Sequence, residues 1–296
     1  MDGEDVDWFA ALKYPANVDE RRGRSFVYFD SSQKGWKLSP QPINSTESAI
    51  GATVNQIYGM DKTRMFGIAY NDDVPGTHVN GDRGHSKGVA LFDESVGFWM
   101  LHSVPNYPPP GTAPVLEDVV SKKSLKRSDA VYTTIRGIET LGGRKVKGFS
   151  KHKKFQLDLW HDFIALNLHT DMAVETWRNG AAKDVGSQCG GGANVYDVNN
   201  IALLGRSFSS SKDHSKWGVS MSEKVPAVCI GDVNRQESQF KRGGGAVCIE
   251  DRTLWKTFRE SVTDFDGCDV SSKTDDKKAP KSIKEDKKTK KSNKSE

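Results

Sequence analysis

The triplet His-Ser-Lys occurs twice in the same local setting, as His85-Ser86-Lys87 in RGHSKGVALFD (83–93) and as His214-Ser215-Lys216 in DHSKWGVS (213–220). A fold for this chain has to build two similar strand entries 129 residues apart and give them a reason to coexist. In an extended chain residues i and i+2 share a face, so His85 points with Lys87 and His214 with Lys216. After the first triplet come a strand, a turn at Glu94–Gly97 and a returning strand; a hairpin centred between Ser95 and Val96 sets Asn106 opposite His85. The second triplet repeats the arrangement, with a turn around Lys224 and Asn234 opposite His214. A bulge would shift either register by a residue, so the expectation concerns a neighbourhood: one His, one Lys and one Asn at one end of each hairpin. A third His-x-Lys, at His152, lacks such a partner, because residues 172 and 173 are Met and Ala.

Short alternating stretches separated by turn residues dominate the rest of the chain: RSFVYFDSS, RMFGIAYNDD, GFWMLHSV, VYTTIRGI and PAVCIGDV read as strands. Apolar residues recurring at three and four predict helices in SAIGATVNQIYG, KKFQLDLWHDFIALNL and RTLWKTFRESVTDF. Strands and helices interleave irregularly, which predicts an α+β, or mixed α/β, fold.

The chain has 296 residues, enough for one large domain or two modest ones. Residues 271–296 hold ten Lys, five acids and almost nothing that packs, and they read as a disordered tail. Without that tail, residues 1–270 carry 33 basic and 34 acidic side chains, so net charge alone does not mark the body as a nucleic-acid binder. No run reaches transmembrane length, and MDGEDVDWFAALKYP is acidic where a signal peptide would be basic and then apolar. The four cysteines point the other way. Cys189, Cys229, Cys248 and Cys268 form an even, clustered set without metal-binding spacing, which suggests two disulfides and an oxidising compartment. Three pairings are open. PAVCIG and GAVCIE read as neighbouring strands, which favours Cys229 with Cys248 and leaves Cys189 with Cys268; four buried free thiols are the bland alternative. Asn44-Ser45-Thr46 fits the glycosylation acceptor pattern, which has meaning only for an exported chain.

Two His/Lys/Asn sets facing one another suit phosphoryl chemistry. One imidazole attacks phosphorus and the second protonates the leaving oxygen, dividing one displacement into two. Lys and Asn hold the phosphate oxygens as charge develops. The sequence offers no carboxylate cluster for a metal and calls for no cofactor. One imidazole must be neutral and the other charged, and nearby Lys charges lower imidazole pKa values, so an acidic optimum is expected. The bland reading is an internal duplication whose His residues merely cap strands.

With these residues in view, the chain resembles the deoxyribonuclease II family, which is similar in active-site plan to the phospholipase D superfamily. The resemblance runs through VDWFAALKYP (6–15), INSTESAIG (43–51), AYNDD (69–73), RGHSKGVALFD, GFWMLHSVPNYPPP (97–110), YDVNNIAL (196–203), DHSKWGVS, VCIGDVNR (228–235) and RGGGAVCIEDRTLWKTF (242–258). It implies two phospholipase D-like halves, each a sheet flanked by helices, over residues 1–110 and 111–270, with one composite site. It also implies a metal-independent acid endonuclease that leaves 3′-phosphate ends on DNA through a phosphohistidine, works as a homodimer in lysosomes or after secretion, and binds no membrane. By motif, His85 is the nucleophile and His214 the general acid, or the reverse, while Lys87, Lys216, Asn106 and Asn234 bind phosphate. The Asp that the phospholipase D pattern carries five residues after each Lys is missing, since residues 92 and 221 are Phe and Met, and this disfavours a lipid substrate. Other departures are a block with a core strand and a Cys usually found between PNYPPPGTAP and LEDVV, an N-terminal Cys and a signal peptide. Loss of that block beside Asn106 gives the alternative function: an inactive secreted nuclease-like protein that binds DNA or a host partner.

Overall fold

The computed structural model describes residues 4–72, 84–104, 131–179 and 182–268. The described residues form a mixed α+β fold with three sheets and few helices. The first sheet is antiparallel: β1 (Phe9–Lys13), β2 (Phe26–Asp30) and β3 (Lys37–Leu38). Helix α1 (Ala49–Tyr58) starts where the Ser48 hydroxyl accepts the Gly51 N–H at 2.9 Å, and it leads into a second sheet of β4 (Phe66–Tyr70), β5 (Gly88–Phe92) and β6 (Gly97–Leu101). The large sheet has β7 (Thr133–Glu139), β8 (Lys145–Lys151), β9 (Met172–Thr176), β10 (Val195–Leu203), β11 (Arg206–Ser209), β12 (Lys216–Ser220), β13 (Ala227–Gly231), β14 (Gly244–Glu250) and β15 (Val262–Phe265). Its order is β11-β10-β9-β12-β13-β14-β8-β7, with β15 also on β10.

Two-residue periodicity sends the side chains of this sheet into two cores. Trp217, Val219 and Val228 face one core together with Leu12, Val27 and Phe29 from the first sheet, and with Leu254 and Phe258 of α4 (Arg252–Ser261). Asp251 caps α4 by accepting the N–H groups of Thr253 and Leu254, both at 2.9 Å. On the other side Ala227, Cys229, Ala246 and Cys248 pack against a π-helical segment, Trp160–Ala165, that runs into the short α2 (Leu166–Leu168). Gly218 and Gly231 make the slot for the Trp160 indole: a Cβ would stand 2.9 Å from its ring at Gly218 and 2.6 Å at Gly231. Trp160 Nε1 then donates to the Val233 carbonyl at 3.2 Å and anchors the loop that follows β13.

Sequence and structure diverge at the helices and the turns. KKFQLDLWHDFIALNL forms a 3-10 turn at Lys153–Phe155 and is continuously helical only from Trp160, and VTDF leaves α4 to form β15, where it gains backbone partners on β10. The first hairpin is centred one residue earlier than expected, with Gly88 opposite Leu101. The reason is Asp93, whose carboxylate accepts the N–H groups of Ser95 and Val96 at 2.7 Å each and closes the loop early. The ladder therefore aims His85 at position 104, not at Asn106, which lies outside the described residues. In the second hairpin Trp217 stands opposite Ile230, one position off the expected register, and His214 and Asn234 both sit beyond the paired strands. Here the Ser220 hydroxyl, which bonds the Val225 carbonyl, sets the loop length.

Both disulfides form as read from the sequence. Cys229 and Cys248 are direct cross-strand partners on β13 and β14, and Cys189–Cys268 fastens the loop before β10 to the end of β15. Asn44 is exposed between β3 and α1. No described helix is long and apolar enough to cross a membrane, and the Lys-rich tail lies outside the described residues.

The loop after β13 is clamped by Arg235, fully buried, whose guanidinium bonds Asp158 at 3.1 Å, Gln188 at 2.7 Å and Asp197. Removing one partner of a buried ion pair typically costs about 3–5 kcal/mol because the other charge is stranded. Arg235→Met is accordingly expected to lower unfolding free energy by about that amount, read by urea denaturation of the oxidised protein.

Candidate active site

The first His-Ser-Lys segment does not stay with its own hairpin. It docks on the loops that follow β13 and precede β14. The His85 N–H donates to the Gly243 carbonyl at 2.8 Å, the His85 Nδ1 bonds the Asp232 carbonyl, and the Ser86 side chain bonds the Asp232 carboxyl. Asp232 itself is fully enclosed and accepts the Gly245 N–H at 2.7 Å. Because a carbonyl can only accept, Nδ1 of His85 must carry the proton, and Nε2 is left as the nitrogen with the lone pair.

Three cations crowd this point. Lys87 Nζ bonds Asp72 Oδ1, and Arg242 Nη2 bonds Asp72 Oδ2 at 2.8 Å. Asp72 Oδ2 is also 3.8 Å from His85 Nε2. Lys216 of the second triplet enters from β12, is buried, and donates to the His214 carbonyl at 2.8 Å; its charge acts on His85 and on Asp232. The lysines of both triplets and the imidazole of the first thus form one electrostatic cluster. His214 lies beside it, its ring stacked on Trp177 at 4.2 Å and 24°. Asn234 is buried, and its Oδ1 has no hydrogen-bond partner.

Burial, followed by the charges of Lys87 and Lys216, pushes the His85 imidazole down to about 3, against the opposing pull of Asp72. Desolvation and then Lys216 also lower His214 below the usual imidazole range, with Asp213 opposing. Burial drives the Lys216 ammonium down to about 8 and the Asp232 carboxyl up to about 6. Burial likewise raises Asp72, but the Lys87 hydrogen bond and the His85 and Lys87 charges outweigh it and hold the group low. Among the described residues no group of three or more His, Cys, Asp or Glu side chains is placed to hold a metal ion.

Several of these residues escape motif reading. Asp72, Asp232 and Arg242 lie within AYNDD, VCIGDVNR and RGGGAVCIEDRTLWKTF, but nothing in their local spacing assigns them to His85. Beneath the second triplet the Ser215 hydroxyl lies 2.9 Å from Glu175 and 2.6 Å from Asp213. The hydroxyl brings one proton to two carboxylates, and burial raises the pKa of both acids. Lys151 ties the end of β8 to the β14 approach, donating to the carbonyls of Gln239, Phe240 and Arg242 at 3.0, 3.1 and 2.7 Å.

Comparison with known proteins identifies the family. The model of the family described as Deoxyribonuclease II matches residues 1–114 and 111–268. The chain belongs to the deoxyribonuclease II family. Family relatives include cell-death-related nuclease 7 of Caenorhabditis elegans, 38% identical with 92% of this chain and 88% of the relative covered. Plancitoxin-1 of Acanthaster planci is 30% identical, covering 89% of this chain and 90% of the relative. Deoxyribonuclease-2-alpha of Mus musculus is 29% identical, covering 90% and 92%. The family match is in two pieces that meet at residues 111–114. The first of these alignments runs over 323 positions, more than the 296 residues of the chain, so it opens gaps within the chain.

The His85 shift fixes a sign for stability. Its folded value, about 3, lies below the ordinary 6.5, so between these limits the unfolded chain takes up a proton that the folded chain refuses. That contribution is intact above pH 6.5 and is lost as pH falls toward 3; the raised Asp232 works in the opposite direction below about 6. His85→Gln is therefore expected to lose less unfolding free energy than the unaltered protein between pH 6.5 and pH 4, measured by urea titrations across that range.

Proposed function

We propose that this deoxyribonuclease II family member is a metal-independent acid endonuclease that hydrolyses DNA phosphodiesters to 3′-phosphate ends through a phosphohistidine. What carries the reading is the convergence of both His-Ser-Lys segments on one buried cluster, with the His85 tautomer set by the Asp232 carbonyl. Relatives named deoxyribonuclease-2-alpha and cell-death-related nuclease supply the substrate class.

In this reading His85 Nε2 attacks phosphorus, the P–O5′ bond breaks, and protonated His214 delivers its proton to the departing oxygen. Neutral His214 then takes a proton from water, the water oxygen displaces His85 from phosphorus, and a 3′-phosphate leaves with both imidazoles restored. Lys87, Lys216, Asn106 and Asn234 hold the non-bridging oxygens; turning the Asn234 amide over sets its Nδ2 at the partnerless position, ready to donate to one of them. A depressed His85 remains a nucleophile in acid. A depressed His214 is charged only in acid, so the pH optimum lies between their two values. The stacked Trp177 suits the charged form of His214.

Residues 1–110 and 111–270 act in this proposal as two phospholipase D-like halves sharing one composite site, and the assembly is a homodimer that clamps DNA. The two disulfides fit a lysosomal or secreted protein. The second reading is an inactive nuclease-like binder of DNA or a host partner. It is favoured by the break in the family match next to Asn106.

Plasmid nicking at pH 5 in EDTA separates the two readings. The oxidised protein is expected to nick, with the rate falling as pH rises past 6.5, and His85→Ala and His214→Ala are each expected to slow it by a factor on the order of a thousand or more. A folded, disulfide-bonded preparation that leaves plasmid intact overturns the enzyme reading.

A further inference from the structure

The groups that the proposed reaction needs for phosphate are already engaged by an anion of the protein itself. Lys87 and Arg242 both bond the Asp72 carboxylate, one on each oxygen, and His85 Nε2 faces the same carboxylate at 3.8 Å. The Asp72 side chain is only 3% exposed and that of Lys87 4%, so water does little to satisfy either charge.

Asp72 is not the group that fixes the His85 tautomer. That task belongs to the Asp232 carbonyl on Nδ1, at the far side of the ring. A carboxylate on the Nε2 side stands instead where an attacked phosphate must arrive, and an anion held there repels a second one. A carboxylate and the two non-bridging oxygens of a phosphodiester carry the same single negative charge and the same paired acceptor oxygens, which is why guanidinium and ammonium groups accept either.

We infer that Asp72 is an internal stand-in for the scissile phosphate, and that Arg242 is a third phosphate-binding cation beside Lys87 and Lys216. The inference rests on the assignment of His85 as nucleophile given above. Substrate binding is then an exchange of anions: the phosphodiester takes the Lys87 and Arg242 contacts as the Asp72 carboxylate turns away. The charge of the cluster is unchanged by the exchange, so the cations are never left buried and unpaired when the site is empty. A neutral ligand cannot displace the carboxylate, and this selects for anions. A fixed positioning role for Asp72 makes the opposite prediction, because removing a support weakens the site.

The test uses the full oxidised protein and inorganic phosphate at pH 5, where phosphate is a monoanion like a phosphodiester, with binding read by calorimetry. Asp72→Asn is expected to bind phosphate about tenfold tighter than the unaltered protein, and Arg242→Gln about tenfold weaker, the usual scale for one charge-assisted contact. Asp72→Glu, which retains the internal anion, is expected to bind no tighter than the unaltered protein. Thermal melts supply a second readout: Asp72→Asn should melt lower in phosphate-free buffer and recover more on adding phosphate than the unaltered protein does. Equal or weaker phosphate binding by Asp72→Asn, unchanged binding by Arg242→Gln, or a stability loss that phosphate does not restore overturns the inference. Since phosphate binding needs no turnover, a protein that shows the expected pattern yet never nicks plasmid sinks the nuclease reading and sustains the anion exchange.

Discussion

Asp232 joins the two parts of the chain that carry the repeated triplets. Its carbonyl takes the His85 ring, its carboxyl takes the Ser86 side chain and the Gly245 N–H, and its position at the end of β13 sets it two residues from Asn234. The placement of the first triplet beside the second hangs from this contact. A hairpin that merely carried His85 on its leading edge would leave the ring free to rotate. Bonding Nδ1 to a carbonyl fixes the plane of the ring and decides which nitrogen can react.

Holding that contact requires the loop after β13 to be rigid, and the interior supplies the rigidity in two chemically different ways. Apolar packing does part of it: Gly218 and Gly231 admit the Trp160 indole, which bonds the Val233 carbonyl. Buried charge does the rest, since Arg235 is locked to Asp158 and Asp197, and Lys151 is fastened to three carbonyls ahead of β14. Such interior charges are costly unless every donor finds an acceptor, and for that reason they hold one geometry and reject others. The cross-strand Cys229–Cys248 bond lies in the same pair of strands that carry Asp232 and the Gly243 approach, so covalent and ionic restraints act on one place.

The charge states of the cluster also follow from burial. His85 is kept neutral where an exposed imidazole would be charged, and Asp232 is kept protonated where an exposed carboxyl would be ionised. These two shifts have opposite signs because desolvation opposes whichever form carries charge: the first leaves His85 without a positive charge as pH falls, and the second removes the negative charge of Asp232.

Much of this was legible in the sequence. Short runs of strand-forming residues bounded by turn signals identified β2, β4, β5, β6, β12, β13 and β14, even where both faces of the strand are buried, as in β2 and β12. The even, clustered cysteines and the neighbouring PAVCIG and GAVCIE strands favoured the pairing that forms. The duplicated His-Ser-Lys gave the candidate His and Lys residues, because these side chains are conspicuous and their i, i+2 spacing has one reading in a strand. Register was not legible. Asp93 and Ser220 close their loops with side-chain hydrogen bonds, and a one-residue change in a loop moves every pairing above it. Nor were the partners of His85: Asp72, Asp232 and Arg242 are 13, 147 and 157 residues away in sequence, and only the docking of one segment on loops of another sheet brings them to one ring. The sequence by itself determined which chemical groups the protein owns and the period on which they are displayed. Which of those groups meet in one buried cluster was decided by the tertiary structure alone, because contact between distant segments depends on packing and on the pairing of buried charge, neither of which leaves a local pattern.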